Sequence, residues 1–321
     1  MSGRILVGTC SWADKTLIDS GWYPPEAKKP EDRLRFYAEQ FPIVEVDSTY
    51  YAIPQERNPE AWVERTPPEF VFDVKAYALF TGHAAAVAAL PRDVREALPA
   101  EQQKKKNVYY KDLPAEMGDE LWRRFVDVLL PMDSAGKLGT VLFQFPPWFG
   151  PRADNRAHIL EAKERLGQYT MSVEFRNAAW MAEERDRERT LAFLSQHEIP
   201  YVCVDEPQGF KSSVPPVTAV TAPVALLRMH GRNAETWNNK SVTAAERFDY
   251  LYSADELREW VPRVRDLAKD AREVHVLMNN CHRDYGVRNA REIGEMLGTL
   301  RVSGQPSAVS GQRDTEQGKL L

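Results

Sequence analysis

Three cysteines in 321 residues are too few to staple a fold of this length. Cys10, Cys203 and Cys281 are odd in number, widely spaced and form no CxxC pair. That excludes a disulfide framework and a structural zinc ribbon, and it fits a reducing compartment. No apolar run reaches membrane length, and the stretch ILVG near Met1 is too short to be the core of a signal peptide. The expected address is therefore the cytoplasm, with no membrane partner. A net charge of -5 lacks the positive excess that drives bulk nucleic-acid binding, although a local basic groove would survive it. There is no P-loop and no GxGxxG. With six histidines in all, a histidine-rich metal centre has little to draw on.

What is present reads as a folded globular chain, 43% apolar and 28% charged. Short strand-like runs recur at 4–8, 43–47, 70–75, 139–145, 171–176, 200–205, 224–230 and 274–279, and helical patterns lie between most of them. Asn58 is placed to cap a helix with Pro59 at its first position. Ser253 and Glu256 form a capping-box pattern, and Pro262 beyond them predicts a turn or kink. Strands alternating with helices predict βα units. Eight of them predict a single (β/α)8 TIM-type barrel over residues 1–302, followed by a flexible polar tail at 303–321. Two departures are expected. A long insertion follows the third strand and carries the solvated run Lys104-Lys105-Lys106, and the sixth-to-seventh connection is too rich in proline for a helix.

Side chains two apart on a strand share a face. In the second strand Glu45 and Asp47 point together, away from Val44 and Val46. The same test sets Asp73 and Lys75, Gln144, Glu174 and Arg176, Cys203 and Asp205, Arg228 and His230, and His275 and Asn279 against uniformly apolar partners. One face thus packs under helices. The other turns polar toward the strand C-termini, where barrels of this kind carry their sites. An ionised group left unpaired in a dry interior costs several kcal/mol. The polar face is therefore either a functional mouth or a paired structural network.

The stretches GTCSW (8–12), VEVDSTYY (44–51), FVFDVKAY (70–77), LGTVLFQFPPWF (138–149), SVEFRNAAW (172–180), LLRMHGR (226–232) with Trp237 and Tyr252, and MNN (278–280) followed by NA (289–290) resemble the YecE-like family, domain of unknown function seventy-two. The resemblance spans the chain to about residue 300 and implies a cytosolic TIM-type barrel. It supplies no reaction. Two departures are Cys281 within the eighth-strand motif and Gly82 between Thr81 and His83, where the family pattern sets threonine and histidine side by side.

General acid/base work needs a carboxylate or histidine within reach of a substrate proton. The candidates are Glu45, Asp47, Glu174, Asp205 and His230, acting on a small anionic or polyhydroxylated substrate. Lys75, Arg176 and Arg228 suit an anion, with Gln144, Asn279, Tyr50 and Trp237 as further substrate contacts. Gly231 and Arg232 occupy the loop where barrels commonly bind phosphate. Trp12, Tyr51, Tyr77 and Trp148 complete a set of candidate mouth aromatics. Nothing marks Cys10 as a thiolate. No organic cofactor is expected. A divalent metal on Glu45, Glu174, Asp205 and His230 is the weaker expectation, because cations are interleaved with those acids. The alternatives are a metal-dependent, endonuclease-like barrel acting on nucleic acid, and a non-catalytic ligand-binding barrel. Substrate, reaction class and oligomeric state are left open.

Overall fold

The structure, a computed structural model, describes residues 2–300 apart from Lys240. The expected tail at 303–321 lies outside the described residues. Eight parallel strands follow in chain order: β1 Arg4–Cys10, β2 Ile43–Val46, β3 Val71–Lys75, β4 Leu138–Gln144, β5 Met171–Glu174, β6 Val202–Asp205, β7 Val224–Met229 and β8 Glu273–Met278. Each pairs with its sequence neighbour and β1 pairs with β8, except that β5 and β6 meet only at one bridge, Val173 to Tyr201. There the Val173 N–H donates to Pro200 O at 2.9 Å and closes the ring. This is the TIM-type barrel that the alternation predicts.

The long helices are α1 Pro30–Gln40, α2 Arg57–Glu64, α3 Ala115–Ser134, α4 Ala153–Leu166, α5 Glu184–Gln196, α6 Ala254–Asp270 and α7 Tyr285–Leu297, one after every strand but β6, with single-turn helices at Lys15–Asp19 and Ala244–Arg247. The connection from β6 to β7 carries no helix or strand among the described residues. The insertion between β3 and α3 holds a short antiparallel pair, Ala85–Ala86 with Asn107–Val108, and two short helices, and its lysine run is exposed.

Amphipathic spacing explains how the helices seat. In α6, Leu257, Trp260, Val264 and Leu267 recur on one face and all are buried, each stabilising by about 1.5–3 kcal/mol relative to exposure. That burial, together with the capping box at Ser253 and Glu256, carries α6 straight through Pro262. The expected turn there does not form, because packing on both sides outweighs one lost backbone hydrogen bond. At α2 the helix begins at Arg57, one residue before the expected cap, with the Asn58 N–H donating to Gln55 O at 2.9 Å. Pro59 still falls in the first turn, where its missing N–H leaves no partner unsatisfied.

Candidate functional site

Strand register fixes which side chains enter the lumen, because paired residues of parallel strands point the same way. Cys10 is level with Glu45, Glu45 with Asp73, Gln144 with Glu174, and Leu277 with Arg228. The expected polar face of β2, β3, β4, β5, β7 and β8 is therefore the lumen.

Strand β6 departs from the expectation. Val204, not Asp205, is level with Arg228, and Asp205 is level with the outward Met229. Asp205 accordingly faces α6, accepting from Trp260 Nε1 at 2.5 Å, from Arg232 Nη2 at 2.7 Å and from Tyr252 Oη at 3.1 Å. It fastens a helix to the barrel rim. Arg232 is spent on the same contact and on Glu256 and Glu259, and the Gly231 N–H donates to Tyr252 Oη, so this loop offers no phosphate cradle. The lumenal acid of this segment is Glu206, which the alternation missed. In β6 the lumenal positions are Val202 and Val204 and the polar Asp205 points outward, so choosing the polar face as the lumen reverses the phase.

At the bottom of the lumen, His275 Nδ1 donates to Asp73 Oδ2 at 2.8 Å and its Nε2 to Glu273 Oε1 at 2.8 Å. Burial opposes the charge, yet the two carboxylates overcome it and push His275 up to about 9. Asp73 also accepts from the Thr140 backbone N–H at 2.8 Å. His275 is a satisfied core histidine of the floor.

One layer higher lies Arg228, 1% exposed. Its Nε and Nη2 grip Glu45 at 2.8 and 2.7 Å, and its Nη1 donates to Glu174 Oε2 at 2.5 Å. Two carboxylates sharing one guanidinium are driven apart in acidity. Burial would raise Glu174, but Arg228, His230 and Arg176 together hold it well below the usual carboxylate range. Burial dominates at Glu45 and raises it, against Arg228 and Lys75. Asp47, just past β2, is raised by burial, with Lys75 and Ser11 opposing. Cys10 Sγ lies 3.5 Å from Arg228 Nη2. Burial and Glu45 still keep its thiol well above the ordinary value, so it is no thiolate.

His230 is fully buried beside this pair. The Asn279 amide donates to its Nδ1 at 2.7 Å, which places the imidazole hydrogen on Nε2, 3.2 Å from Glu174 Oε1. Neither Nε2 nor Oε1 has an aligned hydrogen-bond partner among the described residues. Their approach is thus a charge–dipole contact and not a closed bond. Burial, reinforced by Arg176, pushes His230 down to about 3, so it is neutral at pH 7. Arg176 lies over the Trp237 ring at 4.6 Å, with its Nε 3.4 Å from Glu174 Oε1 and its Nη1 bonded to Glu206. Burial raises Glu206 to about 8 against that guanidinium.

Above these pairs opens a cavity of about 400 Å³. Lys75, Arg176 and Arg247 line it, along with His83, Gln144, Tyr50, Tyr51, Trp237 and Phe248, and no Asp or Glu side chain does. Lys75 Nζ sits over the Tyr50 ring at 4.7 Å, and burial followed by Arg228 lowers its pKa. His83 Nδ1 donates to Thr81 Oγ1 at 2.8 Å, since the Thr81 hydroxyl is already committed to Ala78 O. Burial, with Lys75 and Arg176 adding to it, pushes His83 down to about 4. Arg247 Nε is buried without a partner.

Of the expected contacts, Lys75, Gln144, Arg176, Tyr50 and Trp237 line this cavity. Glu45, Glu174, Arg228, His230 and Asn279 form the layer beneath it, while Asp205 lies outside the barrel wall. Trp12 packs edge-on against Trp62 and Tyr77 is fully buried, so neither belongs to the mouth. Trp148 stands 64% exposed against His83. His83 and Arg247 come from the insertion and from a loop after β7, where no periodic pattern points to them. The four expected metal ligands do not converge, because Arg228 holds two of them and Arg232 another. Among the described residues, no group of three or more His, Cys, Asp or Glu is arranged to hold a metal ion. No described helix is long and apolar enough to cross a membrane.

Fold and site together define a TIM-type barrel whose mouth is cationic over a floor of paired buried charges. The chain belongs to the family described as protein of unknown function DUF72, whose model matches residues 6–312. It is 32% identical over 297 residues to the UPF0759 protein YunF of Bacillus subtilis (strain 168), covering 91% of this chain and 94% of that protein. Among solved structures it resembles a DUF72 family protein of Thermotoga maritima MSB8, with a TM-score of 0.71 and 30% identity over 92% of this chain and 99% of that one. A DUF72 family protein of Enterococcus faecalis V583 superposes with a TM-score of 0.75 at 25% identity, over 95% of this chain and all of that one.

Proposed function

We propose that this protein is an enzyme acting on a small organic anion bound in the mouth cavity. One observation carries the reading: the cavity wall holds Lys75, Arg176 and Arg247 and no carboxylate. Arg176 is paired with Glu206, while Lys75 and Arg247 form no ion pair among the described residues; a concave site lined by such cations favours a ligand that brings its own negative charge. Arg176, already oriented by Glu206 and by the Trp237 ring, presents a preformed guanidinium to a carboxylate or phosphate. Tyr50, Tyr51 and Phe248 flank the space for a flat or apolar portion of the same molecule.

The buried acids take a different part from the one their number suggests. Glu174 is ionised and weakly basic, so it serves better as a fixed negative charge than as a proton acceptor. Its neighbour His230 is neutral, with hydrogen on Nε2 aimed at Glu174 Oε1 in the layer beneath the cavity, and so helps to hold that charge in place. Glu45 and Arg228 hold Glu174 in place.

The test is thermal shift and calorimetric titration against small phosphate and carboxylate compounds, each paired with a neutral isostere. Binding by anions alone, weakened about tenfold or more in Arg176→Met as expected for a charge-assisted contact, supports the reading. Equal binding of the neutral partners, or no effect of Arg176→Met and Arg247→Met, sinks it.

A further inference from the structure

Resting on the anionic-ligand reading, we propose that Lys75 is a covalent catalytic amine, forming an imine with the carbonyl carbon of an anionic aldehyde or ketone in the mouth cavity. Three buried carboxylates, Glu45, Glu174 and Glu206, lie in the same lumen. Each of them is engaged by an arginine, Arg228 or Arg176. Lys75 Nζ makes no hydrogen bond and no ion pair among the described residues, and it lies over the face of Tyr50. Its strand is nonetheless the natural place for a reacting group. Lys75 is the last residue of β3, on the lumenal face, at the end of the barrel where the cavity opens.

A lysine becomes nucleophilic when its environment disfavours the ammonium form, through desolvation or through a neighbouring cation. Both conditions hold here. The side chain is enclosed by the lumen near the Arg228 guanidinium; these two causes, in that order, lower its pKa and prevail over Glu45, Glu174 and Asp47, which favour the charged form. The amine itself lies over the Tyr50 ring at 4.7 Å, and no hydrogen bond among the described residues ties it there.

The chemistry balances without an external oxidant or reductant. The Nζ lone pair adds to the carbonyl carbon, forming the C–N bond as the C–O π pair moves to oxygen. One amine hydrogen transfers to that oxygen, giving a carbinolamine. The hydroxyl then leaves with the second amine hydrogen as water, and the imine remains. His83 keeps an unprotonated Nε2 because its Nδ1–H is spent on Thr81, so the cavity wall carries a group able to relay that proton. Arg176 holds the anionic end of the substrate, which fixes the carbonyl near the amine.

Two probes separate this proposal from the reading on which it rests. Pyridoxal 5′-phosphate is an anion with an aldehyde; pyridoxine 5′-phosphate is the same anion with an alcohol in its place. The full chain is incubated with the aldehyde at pH 7, treated with borohydride to fix any imine as a secondary amine, and digested for peptide mapping. The expected result is label concentrated at Lys75, severalfold above any other lysine, since a lowered pKa raises the share of free amine and the bound anion holds the aldehyde beside it. Pyridoxine 5′-phosphate should protect Lys75, and Lys75→Met should lose the imine absorbance. Because wild-type mapping needs no variant, a folding defect in Lys75→Met leaves the test intact. If pyridoxine 5′-phosphate binds in an Arg176-dependent way but label spreads over surface lysines, the covalent role is overturned and the anion site stands. If neither compound binds, both readings fail.

Discussion

Replacing Arg228 with methionine isolates the energetic role of the lumenal network. Arg228 is 1% exposed, and both of its carboxylate partners are fully buried. The substitution removes the bidentate clamp on Glu45 and the single contact to Glu174 while keeping most of the side-chain volume. Breaking a buried pair from one side costs roughly 3–5 kcal/mol, out of about 5–15 kcal/mol for a whole domain. Here two acids lose their partner, so the upper part of that range is expected. The deficit carries a pH signature. Without the guanidinium, burial lifts the folded-state pKa of both carboxylates above their unfolded values, and protonation then favours the folded state. The variant should therefore sit closest to wild type near pH 5 and fall further behind as pH rises to 8. Urea unfolding followed by tryptophan fluorescence at pH 5, 6.5 and 8 measures this directly. Adding Glu45→Gln to Arg228→Met should restore part of the loss, giving a coupling well outside additivity. A deficit under about 1 kcal/mol with no pH dependence would mean that water already solvates this layer, and the network argument would be refuted.

Several narrower outcomes are fixed by the same geometry. His275, pushed up to about 9 by Asp73 and Glu273, adds stability that is fully present below about pH 6.5 and is lost as pH rises from there through about 9, by at most about 3 kcal/mol; His275→Asn should flatten the alkaline limb of the urea-derived stability curve. His230, pushed down to about 3, should show no imidazole titration by NMR between pH 5 and 8, and a midpoint near 6.5 would show that it is solvated. Gly139→Ala sets a Cβ 2.3 Å from Asp73 Oδ1 and 2.8 Å from Val71 Cγ1; such overpacking should cost about 1–3 kcal/mol in chemical denaturation, and a neutral result would show that the floor can yield.

The strands and the polar lumen were legible because most strands bury one face under helices and turn the other inward. Period two therefore sorted Glu45, Asp73, Glu174 and Arg228 correctly. At β6 the lumenal side chains Val202 and Val204 are apolar and the polar Asp205 faces outward, so alternation there follows the polar residue and selects Asp205 over Glu206. Only the pairing of Val204 with Arg228 settles the phase, and pairing between strands is a non-local property. The same limit hid the pairing of Asp73 with His275, residues 202 apart in sequence. His83 and Arg247 reach the cavity from irregular segments, where no repeat relates one position to the next. No turn interrupts α6 at Pro262, because the tertiary burial around it offsets the local penalty of a proline.

The distribution of charge matters more than its amount. Acids on an inward strand face first suggested a catalytic cluster, yet in the folded chain Glu45 and Glu174 share Arg228, Glu206 holds Arg176, and Asp205 leaves the lumen altogether. A carboxylate that is buried and paired is what folding alone would select, since any other buried carboxylate is too costly to keep. A folding argument gives no comparable reason for the mouth. Lys75 and Arg247 keep cationic ends there with no carboxylate bonded to them among the described residues, Lys75 being favoured by Glu45, Glu174 and Asp47 only at a distance, and one Arg247 nitrogen is buried unsatisfied. Such groups lower stability unless something else meets them. Function in this barrel should therefore be sought where charge is left unmatched, one layer above the residues that look most catalytic in the sequence.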